Sequence, residues 1–174
     1  MKAFRVILIA LFFASCGTTF VNYDFEKSTD FTEYKTYDYF DDMQTGLSKF
    51  DSLRIISTID AKLSSMGFKR SENPDFYIDI QSKELMNRNS PNIGVGVGGG
   101  SGGGFGGVSV GMPLNINKYT REIIIDFVDK NQNEKLFWQA VSESTYKGNA
   151  SVEKREATLA KLVDKIFASY PPKK

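Results

Sequence analysis

The chain contains no histidine, which removes the usual general base and the commonest neutral metal ligand. Its single cysteine, Cys16, lies within the first residues. Ser-His-Asp and Cys-His mechanisms are therefore excluded, and acid–base chemistry falls to carboxylates. Asp75 and Asp79 flank Tyr77 in the run DFYIDI, and Asp126 sits inside REIIIDFVD. Carboxylates alone can run a hydrolysis, one as acid and one as base or nucleophile. Charges that alternate outward on a half-buried strand are also the ordinary solvated face, and that is the preferred reading.

The segment NIGVGVGGGSGGGFGGVSVGMP, residues 92–113, is half glycine. Gly94, Gly96 and Gly99 have the G-x-G-x-x-G spacing of a dinucleotide site, but more glycine and β-branched residues follow where a helix is required. No Gly-Lys-Ser/Thr closes the run, so a phosphate-binding loop fails too. Ile93, Val95 and Val97 alternate with Gly94, Gly96 and Gly98, and Val108, Val110 and Met112 alternate with Ser109 and Gly111. Period two suggests a hairpin with one apolar and one glycine face and a tip at residues 98–107. A disordered loop, or a glycine face that admits another backbone, are the other readings. Gly94, Gly96, Gly98 and Phe105, with Tyr77 and Trp138 elsewhere, form the candidate interaction surface.

Tyr23, Tyr34, Tyr37, Tyr39, Tyr77 and Trp138 are numerous enough for an aromatic binding surface, although core and rim packing is the preferred assignment. DKNQNE, residues 129–134, opens like a calcium loop, but Glu134 replaces the required glycine and Ala140 the bidentate glutamate. It reads as a polar hairpin turn. Asp51-Ser52-Leu53 fits a short O-glycosylation pattern, on a predicted helix. No cofactor and no metal are expected. The net charge of +1 implies no nucleic-acid partner, and no nucleotide is expected.

The elements that must hold these residues begin after a leader. Lys2 and Arg5 precede the apolar run VILIALFFA, which is too short to span a bilayer comfortably, and Ala14, Ser15, Cys16 and Gly17 follow. This is the layout of a bacterial lipoprotein signal over residues 1–15, with Cys16 acylated and residues 16–20 as the tether. Phe13 stands where leucine is commoner. Cleavage removes Lys2 and Arg5 from the 22 basic residues against 21 acidic ones, so the mature net charge is −1. Attachment then rests on the acyl chains. Gly17, rather than aspartate, and the lack of an acidic cluster point to the outer membrane and its periplasmic side.

A single domain is expected over residues 21–172. Val21, Tyr23 and Phe25 alternate with polar residues, as do Tyr37 and Tyr39, giving two extended segments around a turn at 27–30. Ser48 and Asp51 have capping-box spacing, and Ile55, Ile56, Ile59, Leu63 and Met66 recur at helical spacing up to Gly67. Phe76, Ile78 and Ile80 mark a strand. Residues 121–145 read as a hairpin with Ile123, Ile125 and Phe127 on one face and Leu136, Trp138 and Ala140 on one face of the return. Val152, Leu159, Leu162, Val163, Ile166 and Phe167 stripe a last helix stopped by YPPKK. The fold class is α+β: two layers, a mostly antiparallel sheet covered on one face by two amphipathic helices, with the glycine-rich hairpin or loop as an insert.

Taken together, the residues resemble the lipoprotein family built on domain of unknown function 4136, of the Bacteroidota type. Tyr23-Asp24, Asp30-Phe31 and Tyr34-Lys35-Thr36-Tyr37 match its opening, NPDFYIDI its Pro-Asp strand, Asp126, Asp129 and Trp138 its hairpin, and VDKIFASYPPK its closing helix. The resemblance implies an envelope lipoprotein without assigned activity and carries over no catalytic residue. The expected function is a non-enzymatic, lipid-anchored binding or scaffolding module. Its membrane contact would be through Cys16, and its partner an envelope protein, lipid or peptidoglycan. The alternative is a carboxylate-dependent envelope hydrolase using Asp75, Asp79 or Asp126.

Overall fold

Apolar residues that recur every second position build the sheet. The computed structural model describes residues 19–85, 118–132 and 134–173. Six strands appear: β1 (Thr19–Phe25), β2 (Thr36–Tyr39), β3 (Lys69–Arg70), β4 (Phe76–Leu85), β5 (Lys118–Asp129) and β6 (Lys135–Lys147). Helices α1 (Lys49–Ser65) and α2 (Val152–Ile166) complete the layers, and a 3-10 turn, Phe167–Ser169, follows α2. Cys16 and the glycine-rich segment, with Gly94, Gly96, Gly98 and Phe105, lie outside the described residues.

The strand order is β1-β6-β5-β4-β2-β3. β1, β6, β5 and β4 pair antiparallel, while β2 runs parallel to both β4 and β3. Four residues of β2 and two of β3 make a short parallel flank on a mainly antiparallel sheet. The two extended segments near the N-terminus therefore do not pair with each other. β1 is one edge of the sheet and β2 lies near the other, and residues 26–35 carry the chain across. Phe31 and Tyr34 anchor that crossing by burial against Phe137, with ring centroids 5.9 and 4.2 Å away. β1 starts at Thr19, so the end of the expected tether is already strand.

Both helices start at serine caps. Ser48 Oγ accepts from the Asp51 N–H at 3.3 Å, and Ser151 Oγ from the Lys154 N–H at 3.4 Å. The Asp51 carboxylate does not close the reciprocal half of a capping box. It accepts from Arg54 Nη1 at 2.9 Å and from Arg155 Nη1 at 3.1 Å, joining the first turns of α1 and α2. Lys62 Nζ and Asp164 Oδ1, 2.8 Å apart, join the last turns, so the helices run parallel. Gly67 ends α1 at φ +93°, and the Phe68 N–H reaches the Leu63 carbonyl at 3.0 Å, the Schellman closure.

Between the layers, Ile55, Ile59 and Leu63 of α1 and Leu159, Leu162, Val163 and Ile166 of α2 meet Phe76, Ile78, Ile80, Ile123, Ile125 and Phe127. Ile56 and Met66 pack at the margin. Val152, expected in the apolar stripe, is half exposed because it is the first helical residue, beyond the rim of the sheet. A second correction concerns β6. Phe127 pairs with Trp138 but Val128 pairs with Leu136, so Phe137 is an extra residue on its strand. The bulge reverses the alternation. Leu136 turns to solvent, and Phe137 and Trp138 are both buried.

Candidate functional site

The carboxylates at the motif positions have partners in the fold. Asp75 precedes β4, and its Oδ2 accepts from the N–H groups of Lys35 and Thr36 at 2.9 and 2.8 Å and from the Thr36 hydroxyl at 2.9 Å. Partial burial pushes this carboxyl up, but the three donors outweigh it and hold it below the usual range. Asp75 thus fastens the start of β2 to the start of β4 and does not share the outward face with Tyr77 and Asp79.

Asp129 ends β5 and is buried. It accepts the Tyr34 hydroxyl at 2.6 Å on Oδ2, and the N–H groups of Asn131 and Gln132 at 2.7 and 3.1 Å on Oδ1. One side chain closes the hairpin turn and holds the crossing segment. Burial, followed by the Asp129 carboxylate, pushes the Tyr34 phenol far above its ordinary value. Asp60 on α1 accepts both Tyr37 and Tyr39 hydroxyls at 2.9 Å, and burial raises both phenols, with Asp60 adding to it. These phenols stay protonated and serve as donors. Asp60 carried no periodic or motif signal; only the three-dimensional approach of α1 to β2 reveals it.

Asp79 and Asp126 are the carboxylates that do face outward together. They are direct register partners on β4 and β5, and Gln139 on β6 is next in the row. Gln139 Nε2 donates to Asp126 Oδ1 at 2.8 Å, and Gln81 Nε2 to Asp79 Oδ2 at 2.8 Å. Desolvation raises the Asp126 carboxyl, Gln139 opposes the rise and Asp79 adds to it. Beside them lies an open groove of about 450 Å³, lined by Phe40, Met43, Asp79 and Gln81 among others. Among the described residues no three His, Cys, Asp or Glu side chains gather as metal ligands. No described helix is long and apolar enough to cross a membrane.

The aromatic set divides in two. Tyr77 remains half-buried on the open sheet face, stacked on Phe40 at 5.0 Å between centroids. Trp138, expected with it on an interaction surface, is 1 % exposed and is corrected to the core. It shares the inward face of its strand with Ala140, in register with Phe127, and packs against Phe127 at 4.6 Å, Tyr170 at 5.1 Å and Phe167 at 5.8 Å. Its indole N–H has no hydrogen-bond acceptor among the described residues, and rings surround it instead. Tyr34, Tyr37 and Tyr39 are buried as well. Ser52 is bound within its helix region to Thr45 Oγ1 and the Ser48 carbonyl, at 2.6 and 3.0 Å.

Comparison with known proteins supplies a family and a fold. No curated protein matches the chain. Among solved structures, the PelC dodecamer from Paraburkholderia phytofirmans aligns with a TM-score of 0.52 at 10% identity, covering 87% of this chain and 96% of that one. A PDZ domain protein from Parabacteroides distasonis ATCC 8503 aligns with a TM-score of 0.55 at 16% identity, over 96% of this chain but 40% of that one. At such identities the likeness is one of fold. Residues 21–172 match the family described as Domain of unknown function (DUF4136), and the chain belongs to that family.

Proposed function

We propose that this protein is a lipid-anchored lipoprotein of the cell envelope, acting as a non-enzymatic binding or scaffolding module on the periplasmic side of the outer membrane. One observation carries the reading. Two of the reactive-looking carboxylates at the family's motif positions are engaged with other motif residues: Asp75 with Thr36, and Asp129 with Tyr34. Groups held this way maintain a shape and are not free to exchange protons with a substrate. Cys16 supplies the acyl anchor, and an envelope protein, lipid or peptidoglycan is the partner class.

The PelC relative is described as a dodecamer, and self-assembly is the scaffolding mode carried over from it. The edge strand β1 favours this, since its outer backbone groups have no strand partner among the described residues. Its ends are guarded: Lys165 Nζ donates to the Thr19 carbonyl, and Asp24 Oδ1 accepts the Phe25 N–H at 2.9 Å. Val21 and Tyr23 lie between the guards. The outward pair Asp79 and Asp126 beside its groove supports a second reading, a carboxylate-dependent envelope hydrolase.

The test is Cys16→Ala in the native host. The expected result is loss of signal processing and of membrane fractionation. Unchanged processing and fractionation would remove the lipoprotein reading. Crosslinking in the intact envelope, followed by mass spectrometry, then asks for the partner directly.

A further inference from the structure

Large apolar side chains left in solvent are normal singly, and their position decides whether they mean anything. Among the described residues, six of them occur at one end of this domain: Phe20, Phe50, Leu53, Leu85, Tyr119 and Val152. Phe20, Phe50 and Leu53 are 64%, 69% and 56% exposed. Leu136 is the remaining one and lies at the opposite end, beside the β5–β6 turn.

The register places these six together. Thr19 of β1 pairs with Ser144, which pairs with Arg121, which pairs with Glu84. The start of β1, the end of β6, the start of β5 and the end of β4 therefore share one end of the sheet, carrying Phe20, Leu85 and Tyr119. Gly46 lies against the Ser82 carbonyl, which brings the start of α1 to that end with Phe50 and Leu53. Arg155 Nη2 donates to the Gly148 carbonyl at 2.9 Å, which brings the start of α2 there with Val152. Phe20 and Leu85 belong to the open sheet face, and the other four belong to the helix side. The apolar groups thus ring the end of the domain and do not form a groove along it.

The N-terminal tether enters at the same end. Two residues, Gly17 and Thr18, separate Cys16 from Thr19, a reach of at most about 11 Å over three fully extended steps. Lys49, Lys147 and Lys154 are exposed around the same rim, with Glu84, Glu143 and Glu153 interspersed. Aromatic and aliphatic tips among lysines are the composition of a surface that sits at a headgroup boundary.

We propose that this end of the domain is a lipid-docking face: Phe20, Phe50, Leu53, Leu85, Tyr119 and Val152 rest in the membrane interface while the acyl chains on Cys16 hold the domain against it. The proposal rests on the anchor reading above, and it specifies how the domain stands. The strands run steeply away from the bilayer, and the β5–β6 turn with Asp129 projects about 40 Å from it, the length of β6 at roughly 3.3 Å per residue. The open sheet face is then presented sideways to the periplasm.

The test uses the full-length protein, processed in cells, purified and reconstituted in phosphatidylethanolamine–phosphatidylglycerol vesicles. Phe50→Cys, Leu53→Cys and, as control, Leu136→Cys each receive a nitroxide, and the mass of the N-terminal peptide reports acylation of Cys16. Collision with oxygen is expected to exceed collision with a water-soluble nickel complex several-fold at positions 50 and 53, and the reverse at 136. An acylated chain with aqueous labels at all three positions overturns the docking face and leaves the anchor standing. Labels at 50 and 53 shielded from both reagents indicate a second copy on this surface and also overturn it. An unacylated chain that still gives the oxygen signature keeps the face and removes the anchor. An unacylated chain that stays off the vesicles overturns both.

Discussion

The Tyr34 hydroxyl lies 2.6 Å from Asp129 Oδ2, a buried hydrogen bond between residues 95 apart in sequence. It ties the segment that crosses from β1 to β2 to the turn of the β5–β6 hairpin, and Tyr34 stacks on Phe137 with rings 3° from parallel. Tyr34→Phe keeps the stack and removes the bond. Asp129 retains its two backbone donors, so the loss is that of one bond to a buried carboxylate, about 1–3 kcal/mol. Urea unfolding is expected to show a lower midpoint with an unchanged slope. A midpoint equal to that of the parent chain would mean that the pair contributes nothing.

Acid sensitivity follows from Asp75. Its folded value is depressed by the Lys35 and Thr36 donors, against the upward push of burial. A carboxylate depressed in the folded state adds stability above its unfolded value, and that stability is lost as pH falls through the folded value. Glu26, paired with Lys135 at 2.9 Å, is held at about 2 by the lysine and by Ser28. The fall should therefore start near the ordinary carboxylate range of about 4 and continue towards pH 2. Asp75→Asn is expected to lower stability at neutral pH and to flatten this fall, as read from thermal unfolding across pH. A parallel downward shift at every pH would contradict the assignment.

Two glycines separate steric from backbone cost. Gly46 has φ +68°, and a Cβ there would sit 2.7 Å from the Ser82 carbonyl oxygen, a backbone atom that cannot rotate away. Gly67 has φ +93°, with open space around the same position. Gly67→Ala is expected to cost about 1 kcal/mol through its left-handed backbone alone. Gly46→Ala carries that cost and the clash, so its loss of melting temperature should be clearly the larger. Equal losses would show that the loop before α1 moves away from β4 without penalty.

Much of this architecture is legible in the sequence because it is periodic. The period-two runs at Phe76–Ile80 and Ile123–Phe127 and the helical stripe from Ile55 to Leu63 each predict the face that is buried. What is not periodic is not legible. The parallel flank of β2 and β3 has too few residues to show a pattern, and its pairing depends on a crossing segment fixed by Phe31 and Tyr34. One extra residue, Phe137, turns Leu136 to solvent, while Trp138 keeps the inward face it shares with Ala140 and so belongs to the core. Carboxylates are easy to find by type, but their partners are remote: Asp51 meets Arg155 at 104 residues' separation, and Asp60 meets Tyr37 and Tyr39 from another layer. The alternation in β4 does predict that Asp79 faces outward, yet nothing in the sequence sets it beside Asp126.

That pair supports the last prediction. Asp79 and Asp126 are direct cross-strand neighbours on the open face, and like charges placed so are destabilising by about 0.2–1 kcal/mol. Asp126 is raised first by desolvation and then by Asp79, with Gln139 pulling the other way. A carboxyl raised in the folded state holds its proton more tightly when folded, so it favours folding below its unfolded value, and that advantage is lost as pH rises through the folded value. Asp126→Asn removes the repulsion and still offers an oxygen to Gln139 Nε2. The variant is therefore expected to be more stable than the parent at neutral pH by a few tenths to about 1 kcal/mol, with the difference vanishing below the ordinary carboxylate value of about 4, as measured by thermal unfolding at several pH values. The same variant separates the two functional readings. A binding module keeps its envelope crosslinks when Asp126 is neutral, whereas a hydrolase built on the pair loses turnover. A neutral-pH loss of stability would instead mean that a partner on the open face holds Asp126 charged, and that repulsion from Asp79 does not govern the pair.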